Sequence, residues 1–420
     1  MKSRIIFLLL SAAILAGAFA LSGRLESGED APAQSGDEVT IAVATDLHYI
    51  APELTDKGEY FTNLVTDADG KVMLYIDELV RAFAEQIIAE QPDALILSGD
   101  LSFNGETASH EALASILSEV EASGVPVYVM PGNHDMNSSM AARFEGDGYE
   151  LVSSPSEGEF AQIYYEFGYS EAISRDEKSL SYAAQLAPGL RLVMLDVNTR
   201  SNPGYVLDST FDWLEEQLRD AREAGERVIA VSHQNIYPHN SYFTSGYIIG
   251  NGGTLHSLYA EYGVLCNLAG HIHLQHCMSE GGAPEIVTSS LAVNPNQYGV
   301  LTVRGRNGQY NTESVDVSSW AEAEGLANEA LLNFDEYSER FFYDTAVQQG
   351  LDELGGEGER ETELARFYAM ANTLYFAGLN NQIEWDEDAM DEWSERGFFI
   401  PRYLETIRLD SERNYTRFEF

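Results

Sequence analysis

Five short apolar runs in this chain stop abruptly in clusters of Gly, Asp, Asn and His, and no other feature constrains the fold as strongly. "VTIAVAT" (Val39–Thr45) is followed by Asp46-Leu47-His48, and "ALILS" (Ala94–Ser98) by Gly99-Asp100. "VPVYVM" (Val125–Met130) leads into Gly132-Asn133-His134-Asp135. "RVIAVS" (Arg227–Ser232) runs into His233, and "GVLCNLA" (Gly263–Ala269) into Gly270-His271-Ile272-His273. Short runs rich in β-branched residues read as buried strands. Polar clusters at successive strand ends lie where open α/β sheets bind their ligands, beyond the carboxyl edge.

Helical periodicity fills the gaps between these strands. Ile76, Leu79, Val80, Phe83 and Ile87 recur at helical spacing, as do Leu113, Ile116, Leu117 and Val120. Phe211, Leu214, Leu218 and Ala221 mark a third helix, with Gly225 as its C-terminal stop. This alternation predicts an α/β fold with mainly parallel pairing in the first half. "EIVTSSLAV" and "YGVLTV" then follow as strands without helices between them, so the sheets are expected to be mixed. The character changes again near Ser318. "ELARFYAMANTLYFAG" places Leu364, Phe367, Tyr368, Ala371 and Tyr375 on one helical face, and "LGGEGERE" (Leu354–Glu361) reads as a loop before it. The expected organisation is an export segment at 1–20, a Gly/Ser/acid-rich spacer at 21–38, an α/β domain at 39–318 and a helical region at 319–420.

Lys2 and Arg4 precede an apolar run from Ile5 to Leu21, and Ala18-Phe19-Ala20 supplies a small-residue cleavage site. This reads as a signal peptide, with an uncleaved membrane anchor as the alternative. Both readings place the folded part outside the cytoplasm. With 24 Lys+Arg against 68 Asp+Glu, the formal net charge is -44. Such a surface repels polyphosphate backbones, which excludes a nucleic acid polymer as partner. Cys266 and Cys277 have the option of pairing in an oxidising compartment, with two unpaired thiols as the simpler reading.

Five of the nine histidines stand at the strand ends. With Asp46, Asp100 and Asn133 they form a mixed nitrogen and oxygen donor set, which suits Mn, Fe or Zn. There are too many donors for one tetrahedral ion, and two ions sharing a carboxylate would use them all. If the chain stays extended after its first strand, period-two alternation puts Asp46 and His48 on one side.

In order, D-x-H, G-D, G-N-H-D, H and G-H-x-H resemble the signature of calcineurin-like metallophosphoesterases. The resemblance covers roughly residues 39–305. Each piece alone is weak; five in order, each closing an apolar run, are specific. "SGDLSFNGE" (Ser98–Glu106) is similar to the cyclic-nucleotide phosphodiesterase-like branch, and the insert between Tyr49 and about Val72 and the helical C-terminal region are similar to its exported bacterial members. The resemblance implies a four-layer α/β/β/α sandwich with mixed sheets, plus the helical region. It implies two divalent or trivalent metal ions: Asp46, His48 and His273 hold one, Asn133, His233 and His271 hold the other, and Asp100 bridges them. A metal-bridging hydroxide is then the nucleophile. His134 corresponds to the proton donor at the leaving group, with Asp135 orienting its imidazole.

The implied reaction is hydrolysis of a small phosphoester, a phosphodiester such as a cyclic nucleotide being favoured. A phosphomonoesterase or nucleotidase is one alternative, and a non-catalytic binding protein clipped by metals is another. The latter predicts decay of the bridge or the acid, yet Asp100 and His134 are both present. His110, His239, His256 and His276 read as structural. The loop around His239, with Tyr237, Tyr242, Phe243 and Tyr247, either packs at the surface or lines a substrate pocket. Asn104-Gly105 reads as a turn, with a role near the metals as the alternative, and Asp196 and Asn198 as turn residues. The helices after Trp320 read as a packed bundle, with a lid or a dimer surface as the functional alternative.

Overall fold

Unbroken apolar strands need cover on both faces, and a double-layer sandwich supplies it. The computed structural model describes residues 38–66 and 68–420. The expected export segment, and all of the expected spacer except Glu38, lie outside the described residues. Among the described residues, no helix is long and apolar enough to cross a membrane.

One sheet has six strands in the spatial order Arg417–Glu419, Asn307–Ser314, Gln297–Arg304, Val39–Ala44, Ala94–Leu97, Val127–Val129. The last three run parallel and the remaining pairings are antiparallel. The second has seven, in the order His276–Met278, Glu285–Val287, Cys266–Ala269, Arg227–Ser232, Leu190–Leu195, Tyr182–Ala187, Ser174–Arg175. Its middle strands, from Glu285–Val287 to Leu190–Leu195, are parallel and its edges antiparallel. Both sheets are mixed, as expected.

Side-chain alternation sets the layers. Leu192, Met194, Ile229 and Val231 share a core with Ile41, Val43, Leu95 and Leu97 of the other sheet. Their neighbours Val193, Leu195, Val228 and Ala230 face the opposite way, under Leu214, Leu218, Leu255 and Tyr259 of helices Asp208–Ala224 and Gly252–Tyr262. Helices Ile76–Glu90 and Thr107–Ala122 bury the predicted apolar faces on the first sheet, with Leu79, Ile87, Leu113 and Val120 fully enclosed. Gly225 ends helix Asp208–Ala224 with φ 71°, the left-handed stop expected of it. The result is the α/β/β/α order.

Three elements differ from the sequence expectation. "EIVTSSLAV" joins the sheet only over Glu285–Val287, after which the chain leaves it toward the site and Val293 makes an isolated bridge with Lys71. Ala142–Glu145 and Gly148–Leu151 form a hairpin in an acidic stretch with little apolar alternation. The C-terminal region is not wholly helical: Arg417–Glu419 returns to pair with Asn307–Ser314.

The helical region has a core of its own, in which Leu364, Tyr375, Trp393 and Leu404 are enclosed. That core also takes in Ala269, Ile272 and Leu274, the residues around the last polar strand end. Gln275 N donates to Phe376 O at 3.0 Å, and Asn240 Nδ2 to Tyr375 Oη at 3.0 Å. A buried chain also crosses the junction: Asp410 Oδ2 lies 2.8 Å from His276 Nε2, His276 Nδ1 2.9 Å from His239 Nδ1, and His239 Nε2 3.0 Å from Glu285 Oε2. Cys266 and Cys277 are free and buried.

Candidate metal centre

The carboxyl ends of strands from both sheets meet, and the donors sort into two groups. Asp46, His48 and His273 form the first, and Asp100, His233 and His271 the second; within each, one donor atom per residue lies within 4.8 Å of the others. Asp46 Oδ2 is occupied, accepting from Thr45 Oγ1 at 2.7 Å and His271 N at 2.9 Å. Its Oδ1 is buried and has no hydrogen-bond partner. That oxygen lies 3.3 Å from His273 Nε2 and 3.8 Å from His48 Nε2, and the two Nε2 atoms are 3.1 Å apart. Three donor atoms crowd around one point, one of them an orphaned carboxylate oxygen in a buried site. A cation satisfies all three at once, so these residues fit a metal ion.

In the second group His233 Nδ1 donates to Ser98 O at 2.9 Å, which fixes the tautomer and presents Nε2. His233 Nε2 lies 3.3 Å from Asp100 Oδ2 and 3.2 Å from Asn133 Oδ1. His271 Nε2 donates to Gly246 O at 3.0 Å, which leaves Nδ1 as its ligand atom. Asp100 Oδ1 accepts from His134 N at 2.8 Å. Burial alone would raise the Asp46 and Asp100 carboxyls; His273 beside the former and His233 beside the latter outweigh it and hold both below the ordinary range. Burial likewise works against charge on His233, but Asp100 outweighs it and pushes the imidazole up to about 9. Burial lowers His271 to about 4, and burial together with Lys71 holds His48 well down.

The backbone at these donors is unusual. Asp46, His48, Asp100, His271 and His273 have φ of 50°, 45°, 48°, 72° and 61°. They are five of the nine non-glycine residues at positive φ among the described residues. Each such conformation costs roughly 1–3 kcal/mol and persists where the surroundings enforce it, most often at functional sites. The expected extended run through Asp46 and His48 is therefore corrected: the chain coils left-handed there, and the two side chains still converge. Two motif glycines are fixed by close approach. A Cβ at Gly132 would strike the Asp100 carboxylate, and one at Gly270 would strike Thr45 and Asp46.

His134 is half-buried, with its ring centroid 5.2 Å from that of His48. Its Nδ1 lies 3.3 Å from Asn104 Oδ1, which places a proton on Nδ1, and Nε2 makes no hydrogen bond among the described residues. Asn104 thus sits beside the site as well as in a turn. Asp135 does not contact the His134 imidazole, contrary to expectation. Its fully buried carboxylate accepts from Leu101 N, Ser102 N, Ser102 Oγ and Gly132 N at 2.7–3.1 Å. It ties the Asp100 turn to the Gly132 turn and so positions both by way of the backbone. Its carbonyl accepts from His110 Nε2 at 2.8 Å, and His110 is enclosed, as a structural histidine should be.

Glu106 supports the Asn104 turn, its Oε2 accepting from Asn104 N at 3.1 Å. Burial pushes this carboxyl up from 4.5 to about 7. The unfolded chain releases the proton near 4.5, whereas the folded chain holds it up to about 7, so stability falls as pH rises through that window. Relative to Glu106→Gln, the wild type is expected to lose up to about 3 kcal/mol between pH 4.5 and 8 in denaturant titrations. Parallel curves for the two proteins would contradict this.

Of the remaining histidines, His256 accepts or donates with Tyr237 Oη at 2.8 Å, and His239 and His276 belong to the junction chain. In the His239 loop, Phe243 and Tyr247 line a cavity with His271 and His273, while His239 itself does not. Asn198 is more than a turn residue: its amide pairs reciprocally with Gln234, next to His233, at 3.0 and 2.7 Å.

The family described as "Calcineurin-like phosphoesterase" matches residues 39–275, and that described as "C-terminal domain of cyclic nucleotide phosphodiesterase" matches residues 316–414. The protein named "Probable cyclic nucleotide phosphodiesterase" from Pseudoalteromonas sp. (strain SM9913) is 27% identical over 237 residues, 56% of this chain and 72% of its own. "Sphingomyelin phosphodiesterase 2" of Caenorhabditis elegans is 29% identical over 141 residues, 30% of this chain but only 21% of its own length. A dimetal phosphatase from Danio rerio is similar in structure, with a TM-score of 0.45 at 17% identity, over 66% of this chain and 96% of that one. The first match spans every strand end that carries a donor, from Asp46 to His273, and the chain belongs to the calcineurin-like phosphoesterase family.

Proposed function

We propose that this metallophosphoesterase is a two-metal phosphodiesterase acting on a small diester, with cyclic nucleotides as the substrate class. One observation carries the reading: two donor groups, Asp46/His48/His273 and Asp100/His233/His271, built from both sheets around buried carboxylates. Asp100, with one oxygen toward His233 and the other accepting from His134 N, takes the bridging role in this reading. Asn133 completes the second group through Oδ1. Two cations, when bound, depress the pKa of water and offset charge on the phosphoryl oxygens.

The chain's own part is to fix these donors and to manage the leaving group. In hydrolysis a water oxygen forms the new bond to phosphorus, and the ester oxygen departs with its bonding pair. The water gives up a proton as it attacks, and His134 gives one from Nε2 to the departing oxygen, while Asn104 holds the ring through Nδ1. Asp135 keeps the Asp100 and Gly132 turns in register. The match over residues 316–414 and the name of the Pseudoalteromonas relative favour a cyclic nucleotide over a monoester.

The test is a rate comparison on the metal-loaded chain. Cyclic AMP and bis(4-nitrophenyl) phosphate are expected to turn over with kcat/KM well above that of 4-nitrophenyl phosphate. The reverse order would move the assignment to a phosphomonoesterase.

A further inference from the structure

Next to the metal centre lies a cavity of about 280 Å³ with His271 and His273 in its wall. Asp69 of the early insert and Phe243 and Tyr247 of the His239 loop close one part of it, and helices of the C-terminal region close most of the rest. The substrate beyond the phosphorus therefore has to meet the helical region. Two aromatic pairs line the space: Phe243–Tyr247, with ring centroids 5.0 Å apart, and Phe342–Phe376, at 5.1 Å. The Tyr247 ring lies 5.6 Å from that of His271, so the aromatic wall adjoins the donors.

The polar groups in this wall are few and mostly committed. Asp69 is paired with Lys71 Nζ, which leaves no free anion there. The Gln349 amide is engaged at both ends, Oε1 with Tyr368 Oη and Nε2 with Ala68 O. Asn372 differs. Its Oδ1 accepts from Tyr403 Oη at 2.9 Å, which fixes the orientation of the amide, and its Nδ2 makes no hydrogen bond among the described residues. Only 6% of Asn372 is exposed, so this donor serves what enters the cavity. An unpaired donor among aromatic rings calls for a flat group with an acceptor on its edge. A quaternary ammonium would meet the positive end of the amide, and Asp69, the one carboxylate of the wall, is already paired with Lys71.

We propose that this cavity is a nucleobase subsite, with Asn372 Nδ2, held in place by Tyr403, as its specificity-determining donor. The helical region is then the part of the chain that selects the substrate. This assignment rests on the phosphodiesterase reading, and its test is arranged to separate the two.

The full-length, metal-loaded protein and its Asn372→Leu and Tyr403→Phe variants are compared on cyclic AMP and on methyl 4-nitrophenyl phosphate, a diester without a base. In Asn372→Leu the ratio of kcat/KM for cyclic AMP to that for the baseless diester is expected to fall about tenfold, the worth of one buried hydrogen bond. Tyr403→Phe is expected to move the ratio the same way by less, since it frees the amide without removing it. Calorimetric binding of AMP and ribose 5-phosphate needs no turnover: the base is expected to add about tenfold in affinity in the wild type and much less in Asn372→Leu. A ratio unchanged in both variants, with equal binding of AMP and ribose 5-phosphate, would overturn the subsite. So would a wild-type preference for glycerophosphocholine over cyclic AMP. No turnover of any diester, with base-dependent binding intact, would sink the phosphodiesterase reading and leave the subsite standing.

Discussion

Asp100→Asn is expected to lower phosphodiester hydrolysis about a thousandfold in a protein that still folds. A carboxylate shared between two cations supports several kcal/mol of transition-state charge stabilisation, and roughly 4 kcal/mol corresponds to that factor. Asn keeps an oxygen for the bond from His134 N, now 2.8 Å long, and the backbone bond from His48 N to the Asp100 carbonyl is untouched. What is lost is one negative charge at a site only 1% exposed, where Asp100 is also the group that outweighs the burial of His233. On the proposed bridging role, the substitution acts on both donor groups at once. Circular dichroism and thermal melts check the fold, and kcat/KM on bis(4-nitrophenyl) phosphate checks the chemistry. A folded variant within tenfold of wild type would remove Asp100 from the bridging position.

His134→Ala is expected to act selectively. A positioned general acid contributes typically about 100- to 10,000-fold, and only when the leaving oxygen needs a proton. An alkoxide, as released from a cyclic nucleotide, needs one, and 4-nitrophenolate leaves without it. The variant is therefore expected to lose about 100-fold or more in kcat on cyclic AMP and much less on bis(4-nitrophenyl) phosphate. Asn104→Ala should show the same selectivity in weaker form, because it removes only the partner of Nδ1. Equal losses on the two substrates would mean that the His134 ring supports the site by packing against His48 rather than by handling a proton.

Much of this site was legible in the sequence because strand ends and donors coincide. A buried strand leaves its carboxyl end as the one place for polar groups, and each motif glycine marks a backbone that must approach a donor closely, as Gly132 approaches Asp100. The grouping of Asp46 with His48 and His273, and of His233 with His271, was implied by the family resemblance, and the fold brings the donor atoms of each set together. The left-handed turns at Asp46 and His48 were not legible, since Asp and His tolerate that conformation better than most residues but rarely adopt it unless the surrounding packing enforces it. Asp135 was misread for a related reason. Adjacency to His134 suggested contact, but the turn sends the carboxylate inward to backbone donors of another strand end. The Asn104–His134 contact and the cavity wall at Asn372 depend on how separate segments dock, which periodicity does not encode. The final strand, Arg417–Glu419, is too short to show alternation.

The most direct measurement is a manganese titration of the metal-free protein, with hydrolysis of bis(4-nitrophenyl) phosphate followed throughout and Asp100→Asn run beside it. The proposed two-metal site with Asp100 as its bridge predicts no turnover without metal, activity that saturates at two equivalents per chain, and a variant that stays near background. Full activity without metal, saturation at a single equivalent, or a metal-replete wild type that never hydrolyses the diester would contradict it.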